Sequence, residues 1–435
     1  MTTLTKSMLR GMFNGCTVCP RLLLVLLLFS PQLCASEMNL ATAITLMSEQ
    51  NPSLKTFEVN KRALGGKKYT AGLNPETELG IAAENFTGSK PFTSFAQSEL
   101  FISLSSVIEL GDKKKARKQF ALSQYELLNA QRKRKSLELI AELTSLYIDI
   151  LATQERIELA DESFNLSKDI YQSVKRKSKA GAISEVEVKR SFAALEQAKM
   201  IYETEQNKLD RQIVSLGLYW SEKEPKFNRL AGNLFDFGMI KNFNLLVDNL
   251  EQSYLVQVLV MSQTMAESRL NVVNAESKPD LSWSLGIRRF QENNDAALTA
   301  GVSIPLFKRK RNKGALIEAE AEIDSLQSER QVTLLELYGQ VHELYSLRQT
   351  AIERYTVLEK QVIPALTDAL KLTSDAYLEG RYGYLEYSAA RADLIQSKKS
   401  LIDTAQNILK YNIKLETISA ESIFIETSHT QGADS

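Results

Sequence analysis

A long stretch without glycine or proline, residues 112–180, is the feature that most constrains how this chain can fold. Within it, apolar and aromatic residues recur every seven positions in a main row and a second row: Leu143, Ile150, Ile157, Phe164 and Tyr171, then Ile140 and Tyr147. A strict seven-residue repeat is typical of the seam of a supercoiled helix. At ~1.5 Å per residue a continuous helix would reach ~100 Å, several times the mean length in globular proteins. The stretch predicts a long coiled coil and argues against a compact enzyme domain.

The N-terminus has the pattern of an export signal. Basic residues precede the apolar run 22–29, and Ala35 ends a small-residue cleavage motif, which predicts a signal peptide over residues 1–35. The run is far shorter than the ~20 residues of a membrane-spanning helix. All three cysteines lie in this segment, so we expect a mature chain without disulfides. The residues before Cys34 match a lipidation site poorly, which favours a non-lipidated protein.

Composition narrows the classes of function. The chain has 53 basic and 53 acidic side chains, and its zero net charge argues against binding nucleic acid. The sequence contains no glycine-rich phosphate loop, nucleophile constellation or metal-ligand spacing, and its two histidines, His342 and His429, are far apart. We therefore expect no enzymatic activity, no cofactor and no metal site in this chain.

Four short stretches alternate apolar and polar residues, which predicts strands with one apolar face. The predicted strands are 76–85 and 99–107 in the first half of the chain, and 280–289 and 297–305 in the second half. Since no apolar stretch beyond the signal is long enough for a spanning helix, an exported chain that crosses a membrane must use strands. Known single-chain barrels need about eight strands, so four strands predict a barrel shared between copies.

A long helical hairpin follows each strand pair, with its turn near Gly181 in the first half and near Gly380 in the second. Ser184 and Glu187 have the spacing of a capping box at the start of the first returning helix. The first arm of the second hairpin is expected over about 308–379, with a kink at Pro364. Residues 37–72 are expected to be helical up to Gly65-Gly66, and a further helix is expected over about 241–277.

The two tips align at a constant offset of 199 residues: Gly181, Glu187, Leu195, Gln197 and Lys199 correspond to Gly380, Glu386, Leu394, Gln396 and Lys398. So long an offset indicates a duplicated half-molecule. The predicted organisation is a first repeat over 36–216, an equatorial junction over 217–240, a second repeat over 241–418 and a polar tail over 419–435.

Three motifs carry a resemblance to a known family: the strand–helix junction Glu109–Lys114, its second-half counterpart Val302–Phe307, and the tip Ala180–Glu187. Together with the duplication over about residues 38–418, they resemble the outer membrane efflux (TolC-like) proteins, closest to the heavy-metal efflux branch typified by CzcC. The resemblance implies a mainly α fold with a small membrane β-barrel. It implies a homotrimer, in which a twelve-stranded outer-membrane barrel continues into a periplasmic α-helical barrel.

The same resemblance implies a function. Such proteins are passive exit ducts in the outer membrane of Gram-negative bacteria, and they work with a periplasmic adaptor and an inner-membrane RND-type pump. Nearness to the CzcC-like branch favours heavy-metal cations as cargo. Multidrug efflux and type I protein secretion use the same architecture and stay open as alternatives. A periplasmic coiled-coil adaptor is a further alternative, although adaptors usually carry one hairpin.

Candidate gate residues lie at the two tips. By resemblance, Glu386 matches a position lining the closed periplasmic aperture, where three copies would concentrate negative charge and favour cations. A solvated surface glutamate is the competing interpretation. Glu185 and Glu187 are weaker candidates in the first tip. Arg381 is a candidate latch to a neighbouring helix, and Tyr382 a candidate for the contacts that keep the aperture closed.

Other aromatic and basic residues near these elements admit two interpretations each. Tyr384 and Tyr387 belong either to the aperture contacts or to the coiled-coil core. The basic runs 113–118 and 308–313 follow the strands and suit the headgroup level of a membrane, since helix starts otherwise prefer acidic residues. The run 175–179 suits a helix end or an adaptor contact.

Overall fold

The computed structural model describes residues 37–93, 95–238 and 242–419. The predicted signal peptide, the three cysteines and residues 420–435 of the predicted tail, with His429, lie outside the described residues.

The first half begins with a short strand that pairs with a strand of the junction. Two helices and two longer strands follow, and then the first hairpin. Its elements are β1 (Glu37–Met38), α1 (Leu40–Gln50), α2 (Pro52–Ala71), β2 (Glu78–Glu84), β3 (Glu99–Ile108), α3 (Lys113–Lys179), α4 (Glu185–Gly217) and β4 (Arg229–Leu230). Asn51 separates α1 from α2, and its side chain accepts a hydrogen bond from the Ser53 amide at 2.9 Å. Contrary to the sequence expectation, α2 does not end at Gly65-Gly66, because it packs along α3.

The second half repeats this order. Its elements are α5 (Phe243–Asp248), α6 (Tyr254–Glu276), β5 (Leu281–Phe290), β6 (Ala296–Ser303), α7 (Lys308–Arg311), α8 (Lys313–Val357), α9 (Ile363–Leu378) and α10 (Tyr384–Ser419). The single helix expected over 241–277 is wrong, because a 3₁₀ turn at Leu250–Gln252 divides it, as Asn51 divides α1 from α2. The helix expected over 308–379 is also divided.

Two local features interrupt the second long helix. The Asn312 side chain donates a hydrogen bond to the Val273 carbonyl at 2.7 Å, which ties the boundary between α7 and α8 to the end of α6. A π-helical turn, Leu358–Val362, stands directly before Pro364. A wider turn fits here because proline lacks the N–H that would continue the α-helical hydrogen bonds.

The strands form one antiparallel sheet in the order β2-β3-β5-β6, with ends within two residues of those predicted. On one face, apolar side chains form cross-strand rows that are exposed in the single chain: Leu79–Leu104–Leu285–Ala300 and Ile81–Ile102–Ile287–Leu298. Leu79 is 69% and Leu298 84% exposed, although both are large and apolar. The other face is mostly polar, with Ser103, Ser105 and Thr299 among its residues.

The helices pack around α3. Helix α4 returns along it, with ring centroids 6.2 Å apart for Phe164 and Tyr202 and 5.6 Å apart for Tyr171 and Phe192. The main core lies near the middle of α3, where apolar residues from several elements are fully buried: Met47, Leu143, Ile150, Leu216 and Ile408. Among the described residues, none of the helices combines the length and the apolar content that crossing a membrane would require.

A small parallel sheet of β1 and β4, which the sequence did not predict, lies against this core. The Tyr147 hydroxyl of α3 contacts two backbone carbonyls. One is that of Met38, the last residue of β1, at 3.0 Å, and the other is that of Ala231, which directly follows β4. Burial, assisted by the charge of Glu37, raises the pKa of Tyr147 to about 12, so the phenol keeps its proton and remains a donor. One phenol thus holds two distant chain segments on α3.

We expect Tyr147→Phe to lower the stability of this region by about 1–2 kcal/mol, because the half-buried Ala231 carbonyl loses its phenol donor, whereas the Met38 carbonyl keeps the Ala231 amide. Thermal denaturation followed by circular dichroism in one fixed detergent should give a melting temperature lower by a few degrees. Tyr69→Phe on the exposed surface of α2 is the matched control and should change nothing. Equal melting of Tyr147→Phe and the parent would contradict this role.

Candidate functional site

The first tip joins α3 to α4 through a tight turn at Gly181. Gly181 has φ +77°, a left-handed conformation that favours glycine. The amide of Ala182 donates to the Lys177 carbonyl at 3.0 Å, and the Gly181 amide donates to the Ser178 carbonyl at 2.9 Å. These two bonds form a Schellman motif, which satisfies carbonyls that the end of α3 would otherwise leave unpaired.

The second tip repeats this backbone at Gly380, with φ +79° and a hydrogen bond from the Arg381 amide to the Ala376 carbonyl at 2.9 Å. The Arg381 guanidinium, the candidate latch, pairs with Glu379 of its own turn, with Nε 2.6 Å from Oε2. Both side chains are exposed. Within the single chain, Arg381 therefore makes a local ion pair.

A tyrosine cluster, formed by Tyr377, Tyr384 and Tyr387 around Val174 of α3, packs the second hairpin against the first. The rings of Tyr377 and Tyr387 stack with centroids 5.6 Å apart. Tyr382, the candidate aperture contact, stands outside this cluster and is 53% exposed. The structure thus separates Tyr382 from the two tyrosines beside which it stands in the sequence.

A contact between the hairpins also involves the basic run at the end of α3. Lys177 Nζ lies 4.8 Å from the Tyr377 ring centroid, a cation–π arrangement. Burial, and then the charge of Glu187, raise the pKa of Tyr377 above its ordinary value. Lys175 and Lys179 of the same run are exposed.

The two glutamates at equivalent positions differ in whether they cap their helices. Glu386 is exposed, and its Oε2 accepts a hydrogen bond from the Gly383 amide at 3.1 Å, which caps the start of α10. The capping box predicted for Glu187 is wrong, since the Ser184 side chain makes no capping bond and Glu187 Oε2 is buried without a hydrogen-bond partner in the described chain. The physical reason is that the Glu187 carboxylate turns towards the tyrosine cluster. Glu185 is exposed.

Arg391 is a residue of this region that the sequence analysis missed. It is only 8% exposed, and its Nη2 donates to the Ser163 carbonyl at 2.9 Å and to the Ser167 hydroxyl at 2.5 Å. These bonds join α10 to α3 below the tyrosine cluster. The sequence carried little signal for its burial, because the heptad row of Arg391 also holds Lys398 and Asn412.

An ion cluster at the strand–helix junction was also missed. Asp280, just before β5, pairs through Oδ1 with Lys113 and through Oδ2 with Lys308 at 3.0 Å. Although burial alone would raise it, hydrogen bonds from both lysines hold the pKa of Asp280 below its usual range. The first residue of each basic run is therefore used internally, to join the starts of the two long helices.

The polar face of the sheet carries a charged cluster near the loops far from the helices. Arg288 lies between two carboxylates, with Nη1 2.9 Å from Glu84 and 2.6 Å from Glu99. Its guanidinium also covers the Phe101 ring at 5.1 Å. Within the described ranges, no three acidic or histidine side chains stand close enough to hold a metal ion together.

Comparison with known proteins identifies the family that has this architecture. The family profile described as outer membrane efflux protein matches residues 73–221 and 245–421, which include both strand pairs and both hairpins. The chain belongs to the outer membrane efflux protein family. The resemblance predicted from the junctions and the tip is confirmed, and with it the outer membrane as the location and efflux through a channel as the function.

Individual relatives agree with this assignment. The chain is 27% identical over 372 residues to the cobalt-zinc-cadmium resistance protein CzcC of Cupriavidus metallidurans, covering 85% of this chain and 86% of CzcC. The crystal structure of CusC matches with a TM-score of 0.74 at 15% identity, over 88% of this chain and 92% of CusC. The CmeC outer membrane channel of Campylobacter jejuni matches with a TM-score of 0.71 at 15% identity, over 87% and 85%. The two structural matches show the fold.

We expect Glu386→Ala to weaken the start of α10 by about 1 kcal/mol, the usual contribution of a helix cap. Hydrogen exchange of the amides in the first turn of α10 should become several-fold faster. Glu187→Ala at the equivalent position is the matched control, and it should not accelerate exchange in the first turn of α4. Equal acceleration at the two tips would show that both glutamates act as caps.

Proposed function

We propose that three copies of this chain close a twelve-stranded barrel in the outer membrane and form the exit duct of a tripartite efflux system. The observation that carries this proposal is the open sheet: β2 and β6 are its edges, and its apolar face is exposed. Unpaired edges are costly in lipid, so only closure with other copies satisfies the backbone. Four antiparallel strands per chain let the β6 edge of one copy meet the β2 edge of the next with antiparallel polarity.

In this assembly the apolar face contacts outer-membrane lipid and the polar face lines the lumen. The two repeats, 36–216 and 241–418 with the junction 217–240 between them, contribute a hairpin each to a periplasmic helical barrel. The hairpin tips face the periplasmic adaptor, and an RND-type pump in the inner membrane supplies the energy. The duct itself is passive.

We propose heavy-metal cations as the cargo. Support comes from the similarity to CzcC, a cobalt-zinc-cadmium resistance protein, over most of both chains. At the aperture, the exposed carboxylates of Glu386 and Glu185 would form rings in a trimer and favour cations, as rings of carboxylates do in channels. Arg381 and Tyr382 are exposed beside them, available to a neighbouring copy when the aperture is closed.

Metal tolerance of a deletion strain tests the cargo. We expect the strain to become sensitive to cobalt, zinc or cadmium and the restored gene to reverse this, because the pump loses its exit duct. Organic antibiotics are the control and should be tolerated equally by both strains. Sensitivity to the antibiotics alone would assign the duct to multidrug efflux.

Assembly is tested separately in outer-membrane fractions. We expect a trimer that resists detergent without heating and dissociates to the 48.9 kDa chain, less its signal peptide, on boiling. A soluble periplasmic monomer would contradict the duct and favour an adaptor role.

A further inference from the structure

Near the helices the apolar face of the sheet carries Trp283 of β5, which stands in one cross-strand row with Ser106 and Val302. One further apolar row, Ile108 and Leu281, follows it on the same face. Trp283 is half-buried and lies on the same face as Leu285 and Ile287. Tryptophan is enriched at the boundary between lipid and water, where its apolar ring and its N–H meet different surroundings. Trp283 therefore lies close to the periplasmic end of the apolar belt, in the last row but one of this face.

Directly beside Trp283, a cleft of about 990 Å³ opens between the sheet and the start of α3. Four lysines and two acidic residues are among its lining: Lys113, Lys114, Lys115, Lys118, Glu109 and Asp112. Lys113 pairs with Asp280 and Glu109 with Arg117, so the charge of the cleft depends on Asp112 and on the other three lysines, Lys114, Lys115 and Lys118. Lys114 Nζ donates to the Asn74 side chain at 3.0 Å, whereas Lys115 and Lys118 are exposed. In the described part of the chain, no carboxylate lies within ion-pair distance of these three lysines. The cleft thus joins apolar side chains, among them Trp283 and Ile108, to a net positive charge.

The duplication repeats this charge in the second half. Asp112 and Phe307, both left-handed with φ near +60°, precede the two helix starts, and the residues that follow Phe307 are again basic: Lys308, Arg309, Lys310, Arg311 and Lys313. Asp112 is the N-cap of α3 but makes no side-chain capping bond, and the first turn of α3 has no acidic residue, although the helix dipole favours acids there. Asp280 offsets only the first lysine of each basic run, Lys113 and Lys308, which leaves the later basic residues to meet an anion from outside the chain.

We propose that the cleft binds the phosphate-bearing headgroup of an anionic phospholipid in the periplasmic leaflet. Lys115 and Lys118 pair with the phosphate, and Trp283 packs against the glycerol and upper acyl carbons. The proposal rests on the placement of the sheet in the outer membrane under the proposed function. Lipid is preferred to free phosphate because one wall of the cleft is continuous with the apolar belt, where acyl chains lie.

Native mass spectrometry of the purified trimer tests the site, with phosphatidylglycerol as the probe. Zwitterionic phosphatidylethanolamine and inorganic phosphate serve as comparison ligands. In the parent protein we expect phosphatidylglycerol to bind more tightly than phosphatidylethanolamine. Lys115→Gln combined with Lys118→Gln should weaken the three tightest phosphatidylglycerol sites per trimer about thirtyfold, given ~1 kcal/mol for each basic residue at an anionic surface.

Lys175→Gln combined with Lys179→Gln is the matched control. It removes the same charge from the same helix about 90 Å away, and should leave lipid binding unchanged. Lys115→Arg combined with Lys118→Arg should keep the affinity, which separates loss of charge from loss of folding. Equal weakening by the control pair, equal binding of the two lipids, or displacement of phosphatidylglycerol by millimolar phosphate would overturn the proposal. A chain that forms no trimer would contradict the proposed function instead.

Discussion

A four-stranded sheet with two open edges is the constraint on which the rest of this structure depends. Each edge presents backbone N–H and C=O groups that lipid cannot satisfy, and the exposed apolar rows of the sheet are stable only against lipid. The proposed trimer resolves both conditions at once, because the edges pair and the apolar face turns outward. The ion cluster at Asp280 has a direct role here, since it joins both strand pairs to the two long helices.

The helices extend far from the sheet, although they bury few apolar side chains along most of their length. Their core is concentrated near the middle of α3, around Leu143 and Ile150, where the junction also packs. Towards the tips, polar contacts replace it: Arg156 pairs with Asp403 at 2.6 Å, and Arg391 bonds Ser163 and Ser167. The tyrosine cluster is the last apolar contact between the hairpins before the tips.

The two tips share their backbone conformation more closely than their side-chain chemistry. Both tips end in the same Schellman turn, yet the first is surrounded by basic residues and the second carries Glu379 and Glu386. Glu386 caps its helix, while Glu187, its counterpart, faces the tyrosine cluster. In the proposed trimer the basic end of α3 would alternate with the second tip, which would give the two hairpins different electrostatic surroundings although their backbone turns are equivalent.

The spacing of apolar residues along the chain was enough to predict the strands and the two hairpins, because side-chain alternation and heptad spacing are local properties of a chain. The constant offset between the two tips indicated the duplication. The junctions and the Gly181 tip also indicated the family. Only the tertiary structure decided which partners the polar residues take. Glu187 lost its predicted cap, Arg391 became buried at a heptad position, and the helix expected over 241–277 was interrupted at Leu250–Gln252. These outcomes depend on neighbours distant in sequence, whose contacts outweigh a local capping or helix preference of about 1 kcal/mol.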